Sequence, residues 1–192
     1  MFSFEQAKTL CILLSSAYFL KNKGFSVRHY IPGSAVKGIV RSWIITELFC
    51  EEGAEGAEKR AIDDEGFRAI FGTPEEAGKV RFFDAYPISQ PEIETDIMNP
   101  HFGEYYGDQT GKKPPADYLT PVPIPFLTVK DTAFRFVLGI RESENSLIRE
   151  SSLLERSRPL LDFAEQWLKK ALSEHGIGAK TAVGYGLMSS AL

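Results

Sequence analysis

Apolar residues recur at helical spacing in two stretches of the chain, and a third stretch has the composition of a surface helix. Residues 34–50 place five apolar side chains on one stripe, and residues 153–175 form a second amphipathic pattern. Residues 55–71 are rich in acidic side chains and end in an apolar Phe. We therefore predict helices over these three ranges.

Alternating apolar and polar positions predict strands between the helices. In one short segment Phe25, Val27 and His29 alternate with polar neighbours, which suits a strand with two unlike faces. The first 20 residues fit a helix or a buried strand, and the pattern leaves that choice open. The predicted strands cover residues 25–30, 79–88, 125–129, 133–141 and the segment from residue 187 to Leu192.

The order of these elements predicts the fold class. Residues 89–123 contain six prolines and show no period, which is typical of a long functional or mobile loop. We predict an α+β protein in which residues 1–192 form a single ferredoxin-like (RRM-like) βαββαβ domain. Residues 89–123 are then an insertion between the second and third core strands. That scaffold serves many functions, so the fold alone does not settle what the chain does.

One glycine-rich segment carries the strongest chemical signal. Residues 176–186 have the sequence G-I-G-A-K-T-A-V-G-Y-G. Glycines around Lys180 and Thr181 leave backbone amides free to approach a phosphate. A Walker loop is excluded because Ala179 stands where glycine must precede the lysine. A helix C-cap explains Gly176 but not the whole pattern. We therefore interpret this segment as a contact for a phosphate backbone.

The start of the first helix is a second candidate for anion binding. Pro-Gly precedes Ser34, which is a favourable N-cap residue, and Lys37 and Arg41 share its face. An ordinary capped helix with a solvated basic edge would have the same pattern. The net charge of −4 at first argues against nucleic acid. However, residues 51–100 carry thirteen acids while residues 1–50 carry six Lys or Arg against two acids, so a local basic face remains compatible.

The insertion concentrates aromatic side chains beside basic ones. A base stacked on an exposed aromatic ring contributes about 1–3 kcal/mol, so these side chains are suited to single-stranded RNA. They are equally suited to contact a neighbouring subunit or to cover the sheet. The candidates for such base or subunit contacts are His101, Tyr105, Tyr106, Lys112 and Lys113.

Composition excludes several other classes. Two cysteines in 192 residues indicate neither a disulfide framework nor a zinc site. The longest apolar run, residues 10–20, is too short to span a bilayer, and we expect a cytoplasmic protein without membrane contact. No metal or cofactor is expected, because the acids at residues 63–65 suit a solvated helix face. We expect Asp84, which lies in an apolar predicted strand, to be a buried carboxylate that accepts hydrogen bonds.

With these motifs placed, the chain resembles the RAMP superfamily of CRISPR-associated proteins. Residues 31–42, I-P-G-S-A-V-K-G-I-V-R-S, are similar to that superfamily's I-P-G-S-S-L-K-G-x-x-R helix entry. The F-G of residues 71–72 and the V-R-F-F-D-A of residues 80–85 are similar to its F-G and F-x-D-A segment. Residues 176–186 resemble its C-terminal glycine-rich loop. The D-I-M-N-P-H of residues 96–101, with the Y-Y that follows, is most similar to the sixth subunit of the Cmr, or type III-B, effector complex.

The resemblance implies a non-catalytic RNA-binding subunit of an antiviral effector complex. It would hold the backbone of the CRISPR RNA and help present that guide to target RNA. Its partners would be CRISPR RNA, target RNA and the other Cmr subunits, especially the repeated backbone subunit. By matching motif, the residues that would border the guide are Ser34, Lys37, Arg41, Gly176, Gly178, Lys180, Thr181, Gly184 and Tyr185. The chain departs from the family in being short and in having K-N-K-G at residues 21–24, where a longer first strand is usual.

An enzyme of the same superfamily is the alternative. A metal-independent endoribonuclease that processes CRISPR precursor RNA would need a histidine or tyrosine as general base. His29, His101 and His175 are the histidines available, and no pair has a spacing that indicates acid and base acting together. Binding is the preferred hypothesis, with loop amides and Lys180 holding phosphates without reading the bases.

Overall fold

A computed structural model of the chain describes residues 2–4, 15–21, 24–50, 55–99, 123–145 and 158–189, with side chains from His29 onward. The strands are β1 (Phe2–Phe4), β2 (Ser15–Lys21), β3 (Gly24–Tyr30), β4 (Arg81–Phe82), β5 (Tyr86–Pro87), β6 (Glu92–Met98), β7 (Ile124–Lys130), β8 (Phe134–Phe136) and β9 (Leu138–Gly139). The helices are α1 (Gly33–Leu48), α2 (Ala57–Asp63), α3 (Glu65–Phe71) and α4 (Leu160–Glu174). The mixture of helices and strands confirms the α+β class.

Within the described residues, the strands form one small sheet and three two-stranded pairs. In the sheet, β8 lies between β1 and β5 and is antiparallel to both. The pairs are β2 with β3, β4 with β9 and β6 with β7, all antiparallel. A bridge between Ile31 and Ala85 joins the end of β3 to the start of β5, with both backbone hydrogen bonds at 2.8 Å. The strand predicted over residues 25–30 is confirmed as β3.

The core lies between α1, α4 and the strands, and the predicted stripe of α1 is confirmed. Its apolar positions Val36, Val40, Trp43 and Ile44 are buried, and they pack with apolar residues of α4 and β8. Two polar contacts join the ends of α1 and α4. Trp43 Nε1 donates a hydrogen bond to Glu174 Oε2 at 2.7 Å. Glu47 Oε1 lies 3.2 Å from His175 Nε2, which explains an acid on an otherwise apolar face.

The N-cap predicted at Ser34 is wrong. Helix α1 begins at Gly33, Pro32 occupies the N-cap position, and no side chain of the helix's own start caps it. Asp84, far away in sequence, accepts a 2.7 Å hydrogen bond from the Gly33 amide instead. A carboxylate also complements the positive end of the helix dipole. Asp84 is therefore hydrogen-bonded as predicted, but its side chain is exposed and not buried.

The single helix predicted over residues 55–71 is divided into α2 and α3. Asp64 takes an extended conformation between them, and its Oδ1 accepts a 2.9 Å hydrogen bond from the Phe67 amide. Aspartate is among the most favourable N-cap residues, so it begins a new helix here rather than continuing the old one.

The continuous strand predicted over residues 79–88 is interrupted. Two residues pair with β9 as β4, and two others pair with β8 as β5. Val80 is buried and Phe82 is partly buried, but the next buried side chain is Ala85, which breaks the two-residue alternation. The change of partner between β4 and β5 accounts for this shift of face.

Part of the predicted irregular insertion is a regular hairpin. Residues 92–98 form β6, which pairs with β7 over seven residues from Glu92–Lys130 to Met98–Ile124. Thr132 closes the hairpin's base, because its buried hydroxyl donates to Lys130 O and accepts from the Glu92 amide. The strand predicted over residues 125–129 is present within β7, which pairs with β6. The strand predicted over residues 133–141 is divided into β8, which pairs with β1 and β5, and β9, which pairs with β4.

Helix α4 confirms most of the prediction for residues 153–175. Pro159 stands at its N-cap position, and residues 153–157 lie outside the described ranges.

The predicted last strand is wrong for residues 187–189, which contribute only one bridge position, at Met188. The Met188 amide instead donates to Leu172 O at 2.9 Å, a carbonyl that the end of α4 leaves without an intrahelical partner. Residues 190–192 lie outside the described ranges.

Candidate nucleic-acid interface

The glycine loop, residues 176–186, is closed at its base by its own backbone. The Ile177 amide donates to Gly186 O at 2.9 Å, and the Gly176 amide donates to Ala171 O at 3.0 Å. Both glycines have positive φ, +73° and +77°, and both are buried. A Cβ on Gly186 would lie 2.2 Å from Ile177 O. Gly176 and Gly186 therefore serve the close approach of two chain segments, and the Gly176 amide has a protein acceptor.

The tip of the loop presents a run of backbone donors. The amides of residues 178–182 have no acceptor among the described residues, and the tip lies at the surface. Lys180 is left-handed, with φ +62° and ψ +31°, and a 3₁₀ turn, Thr181–Val183, follows it directly. Left-handed and right-handed residues in succession point neighbouring N–H groups into one concavity, which is a common anion site in proteins. The predicted site residues Gly178, Lys180 and Thr181 all belong to this run.

Side-chain contacts attach the loop to the β6–β7 hairpin. The Tyr185 hydroxyl donates a hydrogen bond to Asp96 Oδ2 of β6. The rings of Tyr185 and Phe126 meet edge to face at 5.9 Å between centroids. Lys180 Nζ lies 4.6 Å from the centroid of the Phe126 ring, within the range of a cation–π contact. Asp96 and Phe126 are directly paired across the hairpin, so one face of β6–β7 holds the loop.

The pKa of the Asp96 carboxyl is lowered from its ordinary value of 3.8. The hydrogen bond from Tyr185 is the largest cause, followed by the backbone hydrogen bond from Ile97, while the charge of Lys180 adds a smaller effect. The charged form therefore stabilises the folded chain at pH values above 3.8, and that contribution is lost as the pH falls through the folded-state pKa. At neutral pH Asp96 is a carboxylate that faces the loop.

Replacing Tyr185 with phenylalanine should raise the pKa of Asp96 toward its ordinary value. The change removes the hydroxyl that stabilises the carboxylate and keeps the ring against Phe126. An NMR titration of the Asp96 carboxyl carbon measures this shift. Lys180→Ala is the matched comparison and should produce a smaller rise, because its charge is the weaker cause. A larger rise in the Lys180 variant would contradict the assignment of Tyr185 as the main cause.

The basic residues predicted on α1 are engaged with α2 and α3. Lys37 Nζ donates to Phe71 O at 2.7 Å, at the C-terminal end of α3. Arg41 forms a 2.7 Å ion pair with Glu58 and lies over the Phe67 ring. Ser34 is exposed at the end of α1 that Asp84 already supplies with a negative group. The base of the glycine loop adjoins Glu47, about 20 Å along α1 from Ser34 at 1.5 Å per residue.

Other predicted candidates are placed as follows. The possible base or subunit contacts His101, Tyr105, Tyr106, Lys112 and Lys113 lie outside the described residues. Gly184 lies at the tip with φ +95° and open space around its α-carbon.

Within the ranges that the structure covers, no group of three or more His, Cys, Asp or Glu side chains is arranged to hold a metal ion. No helix in those ranges has the length and apolar character needed to cross a membrane.

Comparison with known proteins identifies the family. The family described as the RAMP superfamily matches residues 21–189. The chain belongs to the RAMP superfamily. This match confirms the resemblance seen in the helix-entry and glycine-loop motifs. It covers every described residue from β3 to the end of the loop.

Two curated RAMP proteins are similar to this chain over most of its length. Cmr6 of the CRISPR system of Pyrococcus furiosus is 34% identical over an alignment of 225 positions, which covers 90% of this chain and 60% of that protein. Cmr6 of Saccharolobus solfataricus is 30% identical over 161 positions, covering 82% of this chain and 43% of that protein. The chain therefore spans less than two thirds of the length of these relatives.

Solved structures give the same family at the level of the fold. The crystal structure of Cmr6 from Pyrococcus furiosus aligns with a TM-score of 0.57 and 30% identity, covering 99% of this chain and 97% of that one. A chain of the cryo-EM structure of the Type III-B Cmr-beta complex bound to cognate target RNA aligns with a TM-score of 0.63 and 26% identity. That alignment covers all of this chain and 57% of the other.

Two residues that contact the glycine loop were not predicted as part of the site. Phe126 was placed only as part of a predicted strand, and Asp96 only as part of a family motif. Their contacts with the loop depend on the pairing of β6 with β7, which joins segments about 30 residues apart. A usable signal for β6 was present, since Ile93 and Ile97 alternate with acids over residues 92–98.

Proposed function

We propose that this chain is a non-catalytic RNA-binding subunit of a type III-B (Cmr) effector complex. Its glycine loop holds the backbone of the guide RNA and so helps present the guide to target RNA. The observation that carries the proposal is the run of amides at residues 178–182, on both sides of Lys180 in the chain, that have no acceptor in the described structure. Similarity to Cmr6 proteins, and to a chain of a Cmr complex bound to target RNA, supports this function.

Phosphate is the chemical group that this loop tip suits best. Backbone amides in a concave turn bind anions of any source, and a lysine adds a charge that can approach a phosphate oxygen. In the free chain Lys180 Nζ lies over the Phe126 ring, and its charge contributes to lowering the pKa of Asp96. A phosphate that binds the tip would replace part of that internal electrostatic interaction. Contacts of this kind carry no base information, which suits a subunit that must accept guides of any sequence.

The phosphate contact rests on the loop rather than on α1. Lys37 and Arg41 hold α3 and α2 in place, and Asp84 occupies the helix end at which a phosphate was predicted to bind. Lys37 and Arg41 would have to share their donors between these contacts and a phosphate. The loop amides have no acceptor among the described residues.

We also propose the ferredoxin-like topology with an insertion. The antiparallel order β1-β8-β5 corresponds to the first, third and second strands of a βαββαβ sheet. Helix α1 lies between β1 and β5 in the chain, and α4 follows β8. The β6–β7 hairpin lies between β5 and β8, which is the predicted position of the insertion.

The outer face of the β6–β7 hairpin supports membership of a larger assembly. Ile93, Ile97 and Leu127 lie opposite the face that holds the loop, and the last two are 59% and 63% exposed. An exposed apolar strip of this kind is typical of a protein interface. We propose that another subunit of the effector complex covers it.

Binding is favoured over cleavage by the placement of the histidines. The His175 ring bonds with Glu47 where α1 and α4 meet, which is a structural contact. His101 lies outside the described residues, and His29 is a half-buried residue of β3. A subunit that only holds its guide needs neither a general base nor a metal ion.

Copurification tests the proposed function. Expressed with its neighbouring CRISPR proteins, the chain should retain both protein subunits and CRISPR RNA, because the loop and the hairpin face bind different partners. Leu127→Asp should weaken retention of the protein partner, since it places a charge in an apolar interface. Mass spectrometry of the purified complex and sequencing of the bound RNA measure both outcomes.

Ile124→Asp is the matched control, because Ile124 is an exposed apolar residue on the opposite face of the same hairpin. It should disturb the complex less than Leu127→Asp. A complex that forms without this chain and retains the same RNA would contradict the proposal. Cleavage of repeat RNA by the purified chain, abolished by one histidine substitution, would support the endoribonuclease instead.

A further inference from the structure

A bulge interrupts the ladder between the β4–β5 segment and the β8–β9 segment. Arg81 pairs with Gly139, and Tyr86 pairs with Arg135. Five residues of one segment therefore run against four of the other, which leaves one residue of the β4–β5 segment unmatched. Bulges of this kind redirect the side chains that follow them.

The bulge places two aromatic rings on one face of the sheet. Phe83 lies before the extra residue, because its amide donates to Val137 O at 3.1 Å in the register of β4 and β9. In a regular strand, residues three apart in sequence point to opposite faces. With the extra residue between them, Phe83 and Tyr86 both point away from the core. They are 47% and 40% exposed, whereas Ala85 is buried.

Neighbouring groups hold both rings in place. The Phe83 ring lies against Gly139, where a Cβ would come within 2.9 Å of the ring's Cε2 atom. Tyr86 stacks on Tyr30 with 5.8 Å between ring centroids and 26° between ring planes. Each ring is therefore supported by the protein on one side and partly exposed to solvent. Exposed, supported rings of this kind are suited to stack with a second planar group.

Two arginines share this face with the rings. Arg135 lies directly opposite Tyr86 across the ladder, and it is exposed between two buried phenylalanines of β8. Arg81 is exposed and lies two residues before Phe83, so both side chains are on the same face. Neither arginine forms an ion pair with another residue that the structure describes. Cations and aromatic rings therefore alternate across this surface.

We propose that this surface, the stacking face, binds single-stranded RNA. Bases stack on Phe83 and Tyr86, and Arg81 and Arg135 bind phosphates. This inference rests on the proposed RNA-binding function. It adds a second contact, one that involves bases, to the phosphate contact at the glycine loop.

The charge of the stacking face favours RNA over a protein partner. Sites for single-stranded nucleic acid combine cations that follow the backbone with aromatic rings on which bases stack. Arginine suits both roles, because its planar guanidinium group binds phosphate with two donors and also stacks on rings. Asp84, the acid next to Phe83 in the chain, accepts the hydrogen bond of the Gly33 amide at the start of α1. The outer face of the β6–β7 hairpin is apolar instead, which suits a protein subunit.

The stacking face and the glycine loop lie near opposite ends of α1. A Cβ on Gly33 would meet Phe82 O at 2.3 Å, so the start of α1 touches β4 beside Phe83. The base of the loop adjoins Glu47, near the other end of the helix. At 1.5 Å per residue these two places are roughly 20 Å apart. The two RNA contacts are therefore separate, and different variants test them.

The test compares the affinity of the full chain for two single-stranded RNA oligomers of equal length, measured by fluorescence anisotropy. One is oligouridylate, and the other has the same sugar-phosphate backbone without bases. The oligouridylate should bind more tightly, by about 5- to 100-fold for each base that stacks on a ring. Both oligomers should give the same dependence of affinity on salt, because they carry the same phosphates.

Four ring variants assign the base preference to the stacking face. Phe83→Ala and Tyr86→Ala should each reduce the preference about 5- to 100-fold and leave the salt dependence unchanged. Phe83→Tyr and Tyr86→Phe keep a ring and should retain the preference. Thermal unfolding of each variant establishes that it folds.

The arginine contact is tested by the dependence of affinity on salt. Arg135→Ala should make the slope of log affinity against log salt shallower by about 0.7 for both oligomers, which corresponds to one lost phosphate contact. Arg135→Lys keeps the charge and should keep the slope. Lys59→Ala removes a charge from an exposed position on α2 and should leave the slope unchanged.

Ultraviolet cross-linking tests the contact without any substitution. Oligouridylate bound to the unsubstituted chain should form cross-links to the peptide that contains Phe83 and Tyr86, because stacked bases lie against these rings. Mass spectrometry identifies the cross-linked peptide. Cross-links confined to other peptides would overturn the stacking face.

The outcomes separate this proposal from the phosphate contact at the loop. Equal affinity for both oligomers, with a salt slope that Lys180→Ala still reduces, would overturn the stacking face and leave the loop contact intact. A base preference that depends on Phe83 and Tyr86, with no effect of Lys180→Ala, would support the stacking face and overturn the loop contact. If the two alanine variants release a protein subunit from the copurified complex and bind RNA normally, the surface is a protein interface and the proposal is wrong.

Discussion

Gly186→Ala should lower the free energy of unfolding by about 2–4 kcal/mol. The new Cβ would meet Ile177 O at 2.2 Å, and the residue would have to keep a φ of +77°. A left-handed non-glycine residue costs about 1–3 kcal/mol, and overpacking adds about 1–3 kcal/mol. Because the neighbouring atoms are backbone rather than flexible side chain, they cannot move aside cheaply. Chemical denaturation with urea measures the change.

Gly184→Ala is the matched control for this substitution. Gly184 also has a positive φ, +95°, but no atom lies within 4 Å of a Cβ built on it. The cost should then be the conformational strain alone, about 1–2 kcal/mol. Equal losses for the two variants would show that the closed base of the loop contributes nothing beyond the strain of the left-handed residue.

Lys180→Ala should weaken the binding of single-stranded RNA about tenfold at low salt. Loss of one charge-assisted hydrogen bond costs about 1.5 kcal/mol, which corresponds to that factor. The logarithm of the affinity falls with the logarithm of salt by about 0.7 for each phosphate contacted on a single strand. The slope should therefore become shallower by about 0.7 in the variant. Titrations at four or five salt concentrations measure both quantities.

Lys169→Ala removes the same charge from a different place. Lys169 forms a 2.6 Å ion pair with Glu165 one turn earlier on α4, and its loss should leave the slope unchanged. Lys180→Arg keeps the charge and should keep the slope. If Lys180→Ala and Lys169→Ala have the same affinity and slope as the unsubstituted chain, Lys180 does not contact phosphate.

Much of the fold follows from local patterns in the sequence. The apolar stripe of α1, the strand β3 and the body of α4 depend on residues close together in the chain, and all three are present. The error at the start of α1 occurred because a distant partner intervened. Asp84 caps α1 from 51 residues away, and that contact replaced the cap expected from Ser34. No local pattern contains this information.

In the candidate site, too, the local features were predictable and the contacts between distant segments were not. The number of glycines around Lys180 and Thr181 predicts a loop with free amides, because glycine conformation is a local property. The same pattern does not show that Gly186 is needed for packing against Ile177 rather than for binding. It also does not show that Phe126 lies beneath the lysine, since that contact forms only after the hairpin and the loop meet.

The hydrogen bond between Trp43 and Glu174 provides the chain with an intrinsic fluorescent reporter. Trp43 and Trp167 are its only two tryptophans, one on α1 and one on α4, and both are buried. Glu174 is the last residue of α4, two positions before the glycine loop. We therefore expect the emission of Trp43 to change if an occupied loop displaces the end of that helix. Fluorescence of the unlabelled protein would then report events at the loop.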